Sequence, residues 1–359
     1  MRRLKNILVT GGSGFIGSNF INYLFGLSES ELKDFTDSEF TGKVINVDSL
    51  TYAGNNENLA KVDRLFGSCV PDEKRRYFFE KADICNHSQI ERIFRQYDID
   101  TVVHFAAETH VDRSILSPEA FINTNVKGTF TLLEASRSYW NVSLLNPRSD
   151  VHFHHVSTDE VYGSAGTDTS FTENSPYAPR SPYSASKAAS EHLVMAYHHT
   201  YGLPVTVSNC TNNYGPHQFP EKFLPLMILN IRDKKNLPVY GAGKNIRDWI
   251  YVEDHNRAVW KILRHGISGE KYNIAGENEW QNIDLLEKVI EITSAKTDRS
   301  ACEIKKNITF VKDREGHDFR YSIDCTKIKN TLGWEKKMPF DKGLELTVDW
   351  YLEHSGACS

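Results

Sequence analysis

Gly11, Gly14 and Gly17 stand three apart between a brief apolar strand, Ile7 to Val9, and the apolar face of a helix, Phe15, Ile16, Phe20, Ile21 and Leu24. Few sequence features restrict a fold as much. The stretch T-G-G-S-G-F-I-G asks for a tight turn at Gly11, backbone close to a pyrophosphate at Gly14, and close helix–sheet packing at Gly17. The helix N-terminus then offers free N–H groups and its positive dipole end to phosphate. Glycine triplets occur by chance; the strand before and the helix after give this one its meaning. A second apolar strand, Val44 to Val47, ends at Asp48. An acid there suits a ribose diol and repels the 2′-phosphate of NADP, so NAD is the expected cofactor. The interval from the glycines exceeds the usual ~20 residues. The surplus lies in a polar, acid-rich insertion from Gly26 to Gly42, and a second polar insertion runs from Cys69 to Arg76.

Strand and helix patterns continue to alternate. Tyr77 to Phe79 and Thr101 to Phe105 read as strands and Ser88 to Tyr97 as a helix. Ser117-Pro118 reads as a capped helix start, with the helix running to about Trp140, and Ser181-Pro182 as another. Val151 to His155 and Pro204 to Asn209 add two more strands. This alternation predicts an α/β fold with a doubly wound parallel (Rossmann) sheet. From about Tyr214 the pattern loosens, which predicts a smaller C-terminal α/β substrate-binding region. The expected division is 1–213 for the NAD-binding domain with the catalytic residues and 214–359 for the second, with segments free to interleave.

The length of 359 residues and 40% hydrophobic content allow a sizeable core. A formal net charge of -5 gives no general attraction to nucleic acid or an anionic membrane. No run approaches the ~18 apolar residues of a membrane span. Six scattered cysteines without a C-x-x-C pair point to free thiols in a reducing, cytoplasmic setting, with no zinc site or other metal expected.

The chemistry concentrates in V-S-T-D-E-V-Y-G, 156–163, at the end of a buried strand, where open parallel sheets gather ligands. Two carboxylates in a closed site cannot easily both ionise, which splits Asp159 and Glu160 into an acid and a base. The plainer alternative is a turn-capping cluster. Tyr183 and Lys187 lie four apart on one helix face. A lysine so placed can lower the phenol pKa and hydrogen-bond a cofactor ribose, making the phenol a base for a hydroxyl proton as hydride leaves. Here the plainer alternative is a solvated helical pair.

Beyond T-G-G-S-G-F-I-G and Y-S-A-S-K, the chain carries D-S-L-T-Y-A-G-N (48–55), A-A-E-T-H-V-D-R-S-I (106–115), S-T-D-E-V-Y-G (157–163) and S-P-Y-S-A-S-K (181–187). It also carries N-N-Y-G-P-H-Q-F-P-E-K (212–222), R-D-W-I-Y-V-E-D-H (247–255) and D-R-E-G-H-D-F-R-Y (313–321). Together they resemble the dTDP-glucose 4,6-dehydratase family of the extended short-chain dehydrogenase/reductase superfamily, over nearly the whole chain.

The resemblance implies oxidation at carbon 4 of a nucleotide-diphosphate hexose by Tyr183, helped by Lys187 and Thr158. It makes Glu160 the base for the carbon-5 proton and Asp159 the acid for the departing 6-hydroxyl. Hydride then returns to carbon 6, giving dTDP-4-keto-6-deoxyglucose and leaving a tightly bound NAD regenerated. For the cofactor it implies Gly11, Gly14, Phe15, Ile16 and Gly17 at the pyrophosphate, Asp48, Ser49, Leu50 and Thr51 at the ribose, and Asp83 and Ile84 at adenine. Phe105, Ala106, Ala107, Glu108, Thr109, Thr124 and Asn213 would line the way to nicotinamide, with Tyr183 and Lys187. For the substrate it implies Thr109, Thr158 and Asn212 at the hexose, and Lys222, Arg247 and Arg314 at the diphosphate. Pro238, Val239, Tyr240, Asn282 and His317 would frame the nucleoside, with Phe223 and Asp313 also at the substrate.

Glu315 departs from the family's usual proline, beside the expected nucleotide site. A nucleotide-sugar 4-epimerase has no use for the Asp159–Glu160 pair, and a GDP-mannose 4,6-dehydratase would more often take NADP, which Asp48 disfavours. A UDP-sugar dehydratase would share the chemistry, and a non-catalytic NAD-binding sensor or scaffold would not keep all five catalytic residues. The helices from Pro118 and Pro182 lie where the superfamily pairs subunits, so a homodimer is expected.

Overall fold

The computed structural model describes residues 2–27, 40–314 and 316–354. Most of the first insertion (28–39) and Glu315 lie outside the described residues.

Twelve strands are described: β1 (Asn6–Thr10), β2 (Lys43–Asp48), β3 (Tyr77–Lys81), β4 (Thr101–His104), β5 (His152–Thr158), β6 (Val205–Cys210), β7 (Asn212–Tyr214), β8 (Leu237–Tyr240), β9 (Ile246–Tyr251), β10 (Lys271–Ile274), β11 (Glu279–Gln281) and β12 (Ile308–Val311). Seven form one sheet in the order β10-β6-β5-β4-β1-β2-β3, with every pair parallel. The chain runs outward from β1 through β2 to β3, then restarts on the other side at β4. The crevice between β1 and β4 is therefore the switch point where ligands bind in such sheets.

Both faces of the sheet are covered. Ile7 and Val9 enter one buried cluster, and Leu8 between them enters the opposite one, as period-two alternation requires. β5 is buried throughout, yet three of its five residues before Ser157 are histidines: only Phe153 and Val156 are apolar in His152–Val156. Its histidines are satisfied sideways by hydroxyls. His152 and His154 share Thr206 Oγ1 at 2.8 and 2.9 Å, His154 reaches Ser208 Oγ at 3.1 Å, and His155 reaches Ser190 Oγ at 3.2 Å.

The expected break at residue 214 meets a different chain path. After β7 and β9 the helix Val252–His265 packs on the helix Phe15–Leu24, and β10 then joins the main sheet beside β6. Residues 252–274 thus complete the first sheet. The second region combines β7, β9 and β11, the β8–β12 pair, and the helices Phe223–Arg232, Asn282–Lys296 and Phe340–Glu353 around their own apolar core.

Helix starts behave unequally. Ser181 caps its helix, accepting from Ser184 N–H at 3.0 Å. Ser117 makes no cap bond, and its helix Pro118–Phe121 is the first turn of a longer run. That run passes through a wide π-type turn at Ile122–Gly128 before continuing as Thr129–Trp140. Such turns gather at functional sites, and this one brings Thr124 to the main cleft.

Candidate active site

A cleft of about 430 Å³ opens at the carboxyl ends of β1, β2, β4, β5 and β6. Gly11 sits at φ +68°, and a Cβ there would come within 2.7 Å of the Ala106 backbone. At Gly17 a Cβ would stand 2.3 Å from Gly11 O. Gly14 differs: a Cβ would meet only Gly11 O, at 3.3 Å, and the residue faces the cleft. The protein's own packing does not require glycine at 14, so a ligand lying against the backbone explains it. Phe15 and Ile16 open the following helix and line the same wall.

Asp48 ends β2, and its two oxygens accept Ser13 N–H at 3.0 Å and Leu50 N–H at 2.8 Å. Leu50 takes φ 53° to reach it. Ser49, Thr51, Asp83 and Ile84 line the cleft, whereas Leu50 contributes only this backbone bond. The loop after β4, Phe105 to Thr109, lines the opposite side. Asn125 holds it, accepting Glu108 N–H at 2.8 Å and donating to Glu108 O at 3.1 Å. The same amide donates to Ser186 Oγ on the helix Pro182–Tyr201 at 2.8 Å. The cradle, the ribose acid and the loop fit a dinucleotide.

β5 ends at Thr158, and a tight 3-10 turn, Asp159–Tyr162, follows. Thr158 Oγ1 accepts Glu160 N–H at 3.3 Å and lies 3.3 Å from Asp159 Oδ1. The hydroxyl that caps the turn is thus the same one expected to serve the chemistry. The turn also separates the two carboxylates electrostatically. Asp159 is 3% exposed. Burial first, and then the charges of Glu160 and Asp248, hold it well above the usual carboxylate range. Burial raises Glu160 too, but Arg247, Lys222 and Arg314 pull it back toward ionisation. Tyr321 OH also points at Glu160 Oε2, at 3.5 Å. A protonated acid and an ionised base can thus stand side by side.

Tyr183 and Lys187 line the same cleft as Thr158, Asp159 and Glu160. The expected lowering of the phenol by Lys187 is not present in the protein alone. Burial pushes Tyr183 well above its ordinary value, and the charge of Glu160 adds to this, with Thr158 working the other way. Lys187 Nζ donates to Val156 O at 2.8 Å instead. Burial brings Lys187 down to about 8, so it is still protonated at neutral pH.

The residues expected at the substrate divide. Asn212, Asn213 and Lys222 line the cleft, and Lys222 Nζ donates to Thr109 O at 2.9 Å. Arg314 Nε lies 2.7 Å from Asp112 Oδ1, with its guanidinium 4.5 Å from the centre of the Tyr240 ring. His317 lies 2.6 Å from Asp313 Oδ1 and accepts Arg247 Nη2 at 2.8 Å. Arg247 also donates to Ile246 O at 2.7 Å and to Asp318 O at 3.0 Å. Its NηH₂ groups are thus committed within the protein, and its charge acts on Glu160. Both Phe223 and Val239 pack in the second core, with Val239 only 1% exposed, so the Val239 side chain is structural. Pro238 and Tyr240 flank it on β8, and Asn282 opens the helix Asn282–Lys296 with its N–H on Asn245 O at 3.0 Å.

Ser157, Cys210, Gln218, Phe219 and Glu221 also line the cleft and were not expected there. Glu221 and Gln218 lie inside the N-N-Y-G-P-H-Q-F-P-E-K motif, so the signal was available for them. Among the described residues, no group of His, Cys, Asp and Glu could hold a metal ion, and no helix is long and apolar enough to cross a membrane.

A family model described as GDP-mannose 4,6 dehydratase matches residues 8–347. A probable dTDP-glucose 4,6-dehydratase of Sinorhizobium fredii is 51% identical, over 97% of this chain and 93% of its own. The dTDP-glucose 4,6-dehydratase of Neisseria meningitidis serogroup B is 49% identical, over 98% and 94%. Among solved structures, a dTDP-glucose 4,6-dehydratase from Streptomyces venezuelae with NAD bound superposes with a TM-score of 0.84 at 41% identity, covering 99% of each chain. With the acid pair, the Tyr/Lys pair and the glycine cradle in one cleft, the chain belongs to the dTDP-glucose 4,6-dehydratase family of the extended short-chain dehydrogenase/reductase superfamily.

Proposed function

We infer that the protein converts dTDP-glucose to dTDP-4-keto-6-deoxyglucose with the loss of one water. The observation that carries this reading is the pairing of Asp159 and Glu160 in the cleft that holds Tyr183, with burial raising both and the cations Lys222 and Arg314 offsetting it at Glu160. NAD in the glycine cradle accepts the carbon-4 hydride and later returns it to carbon 6. Tyr183 takes the 4-hydroxyl proton, with the Thr158 hydroxyl beside it and the Lys187 charge behind. The resulting ketone acidifies the carbon-5 hydrogen, and Glu160 removes it as a proton. Asp159 gives its proton to the 6-hydroxyl, which leaves as water. Lys222 and Arg314 are the cations placed to meet the diphosphate; Tyr240, Asn282 and His317 frame the nucleoside.

The phenol is protonated in the protein alone, so it must first lose its own proton to solvent. The positive charges of Lys187 and bound NAD⁺ favour that loss, and the phenolate is then the acceptor of the 4-hydroxyl proton. Tyr183→Phe is expected to abolish the reduced nicotinamide signal on adding dTDP-glucose, by at least ~10². A signal of normal rate and size in this variant would remove Tyr183 from the step.

We further propose a homodimer built on the helices from Pro118 and Pro182. The support is a row of exposed apolar side chains: Leu116 at 86%, Ile122 at 53% and Phe130 at 45%. Light scattering is expected to give twice the chain mass of 41.0 kDa, and Leu116→Glu with Ile122→Glu to give the monomer. A wild-type monomer rules the proposal out. The described cysteines are all free, which supports a reducing, cytoplasmic setting.

A further inference from the structure

The helix Pro182–Tyr201 carries a second buried titratable group, Glu191, one turn beyond Lys187. Glu191 is 1% exposed and plays no part in the steps above. Its Oε1 accepts the Ser157 hydroxyl and the Asn209 amide, the latter at 2.8 Å, and its Oε2 accepts the Tyr177 hydroxyl. Lys271 Nζ donates to the same Tyr177 hydroxyl at 3.2 Å. The Asn209 amide also donates to Thr158 O at 3.1 Å. Three successive residues of β5 are thereby gripped from the helix side: Val156 by Lys187, Ser157 by Glu191, and Thr158 by the Asn209 that Glu191 orients.

We propose that Glu191 is a positioning residue for the reaction, fixing the strand end that presents Thr158, Asp159 and Glu160 and supplying the counter-charge of Lys187. This rests on the roles given above to Thr158, Tyr183 and Lys187. Burial raises Glu191, and the three donors Ser157, Tyr177 and Asn209 work against it, an acceptor-only arrangement that favours the ionised form. Tyr162, Tyr177 and Lys271 are the other titratable groups facing it. Lys187 is faced by His104 and His155, both held neutral by burial, and by the Cys210 thiol, which burial pushes up to about 12. Glu191 is accordingly the first of the groups raising Lys187 against its burial. Without that charge, Lys187 would lose its proton nearer neutral pH.

The test is the pH profile of kcat and KM for dTDP-glucose, measured on the NAD-loaded full chain. Glu191→Gln is expected to move the alkaline limb of kcat down by ~1 pH unit. At pH ~8 its kcat then falls ~5-fold, against less than ~2-fold at pH ~6.5, with KM unchanged within ~2-fold. Glu191→Asp keeps the charge but draws back from Ser157 and Asn209. It is expected to hold the limb within ~0.3 unit while lowering kcat ~10-fold at every pH. Equal loss at all pH in Glu191→Gln overturns the counter-charge role. A displaced limb, or an undiminished kcat, in Glu191→Asp overturns the proposal even where Glu191→Gln does not fold. Failure here leaves the Tyr183→Phe result untouched, so the two readings fail separately.

Discussion

Glu160→Gln is expected to oxidise the sugar at carbon 4 and then stall, accumulating enzyme-bound reduced nicotinamide that absorbs near ~340 nm, while dehydration slows by ~10²–10⁴. Thr158, Tyr183 and Lys187 remain in this variant, so the first step keeps its base. The amide cannot take the carbon-5 proton, and Asp159 does not replace it: with the Glu160 charge gone, burial and the charge of Asp248 still hold it protonated. The factor corresponds to ~3–5 kcal/mol of lost transition-state stabilisation. A second effect follows from the same geometry. Glu160 is one cause of the raised values of both Asp159 and Tyr183, so removing its charge lets both ionise more readily. The acid limb of the first oxidation should therefore move to lower pH. Stopped-flow absorbance and mass spectrometry of the quenched sugar separate the two steps. Full turnover in Glu160→Gln would end its role as the base.

The second large effect is on stability. His104, His152, His154, His155 and His255 are essentially inaccessible to solvent. Burial lowers His104, His154 and His255 to about 3 and the other two well below their ordinary value. Folded-state values are thus depressed, and the unfolded chain, titrating near ~6.5, binds more protons in between. Stability is complete above pH ~6.5 and falls as the pH drops from there toward the folded values. Each histidine removes about 1.4 kcal/mol between pH ~7.5 and ~5.5, so five remove about 7 kcal/mol. Asp159, raised in the folded state, works in the opposite direction by up to about two histidines' share, and the raised values of Glu160, Glu191 and Asp248 act in the same sense. The histidine contribution alone is comparable with the lower end of an ordinary domain's stability, so a net loss on acidification is expected. Urea midpoints at the two pH values check this; equal midpoints would contradict it.

Legibility followed locality. The glycine turn was readable because Gly11 and Gly17 answer to backbone contacts with Ala106 and Gly11 itself, which any strand–turn–helix of this kind must make. The Tyr183–Lys187 pair was readable because four residues make one helical turn. The separation of Asp159 from Glu160 was not, since it depends on Arg247 and Asp248 in β9, on Lys222 and on Arg314, all distant in sequence. Nor was the seventh strand: K-Y-N-I is too short to announce itself and joins the sheet only because Val252–His265 first packs against Phe15–Leu24. Val239 shows the limit of carrying motifs over as contiguous runs. Strand alternation turns its side chain into the core between Pro238 and Tyr240.

The central claim is that one cleft both moves hydride and removes water, and one experiment in D₂O reads both. The protein with NAD and dTDP-glucose is expected to yield a sugar nucleotide lighter by one water and carrying one solvent deuteron, on carbon 5. Glu160 discards the original proton to solvent, carbon 5 is reprotonated from solvent, and carbon 6 receives the hydride that left carbon 4. A product of unchanged mass, with only the carbon-4 configuration inverted, would contradict the account and leave an epimerase.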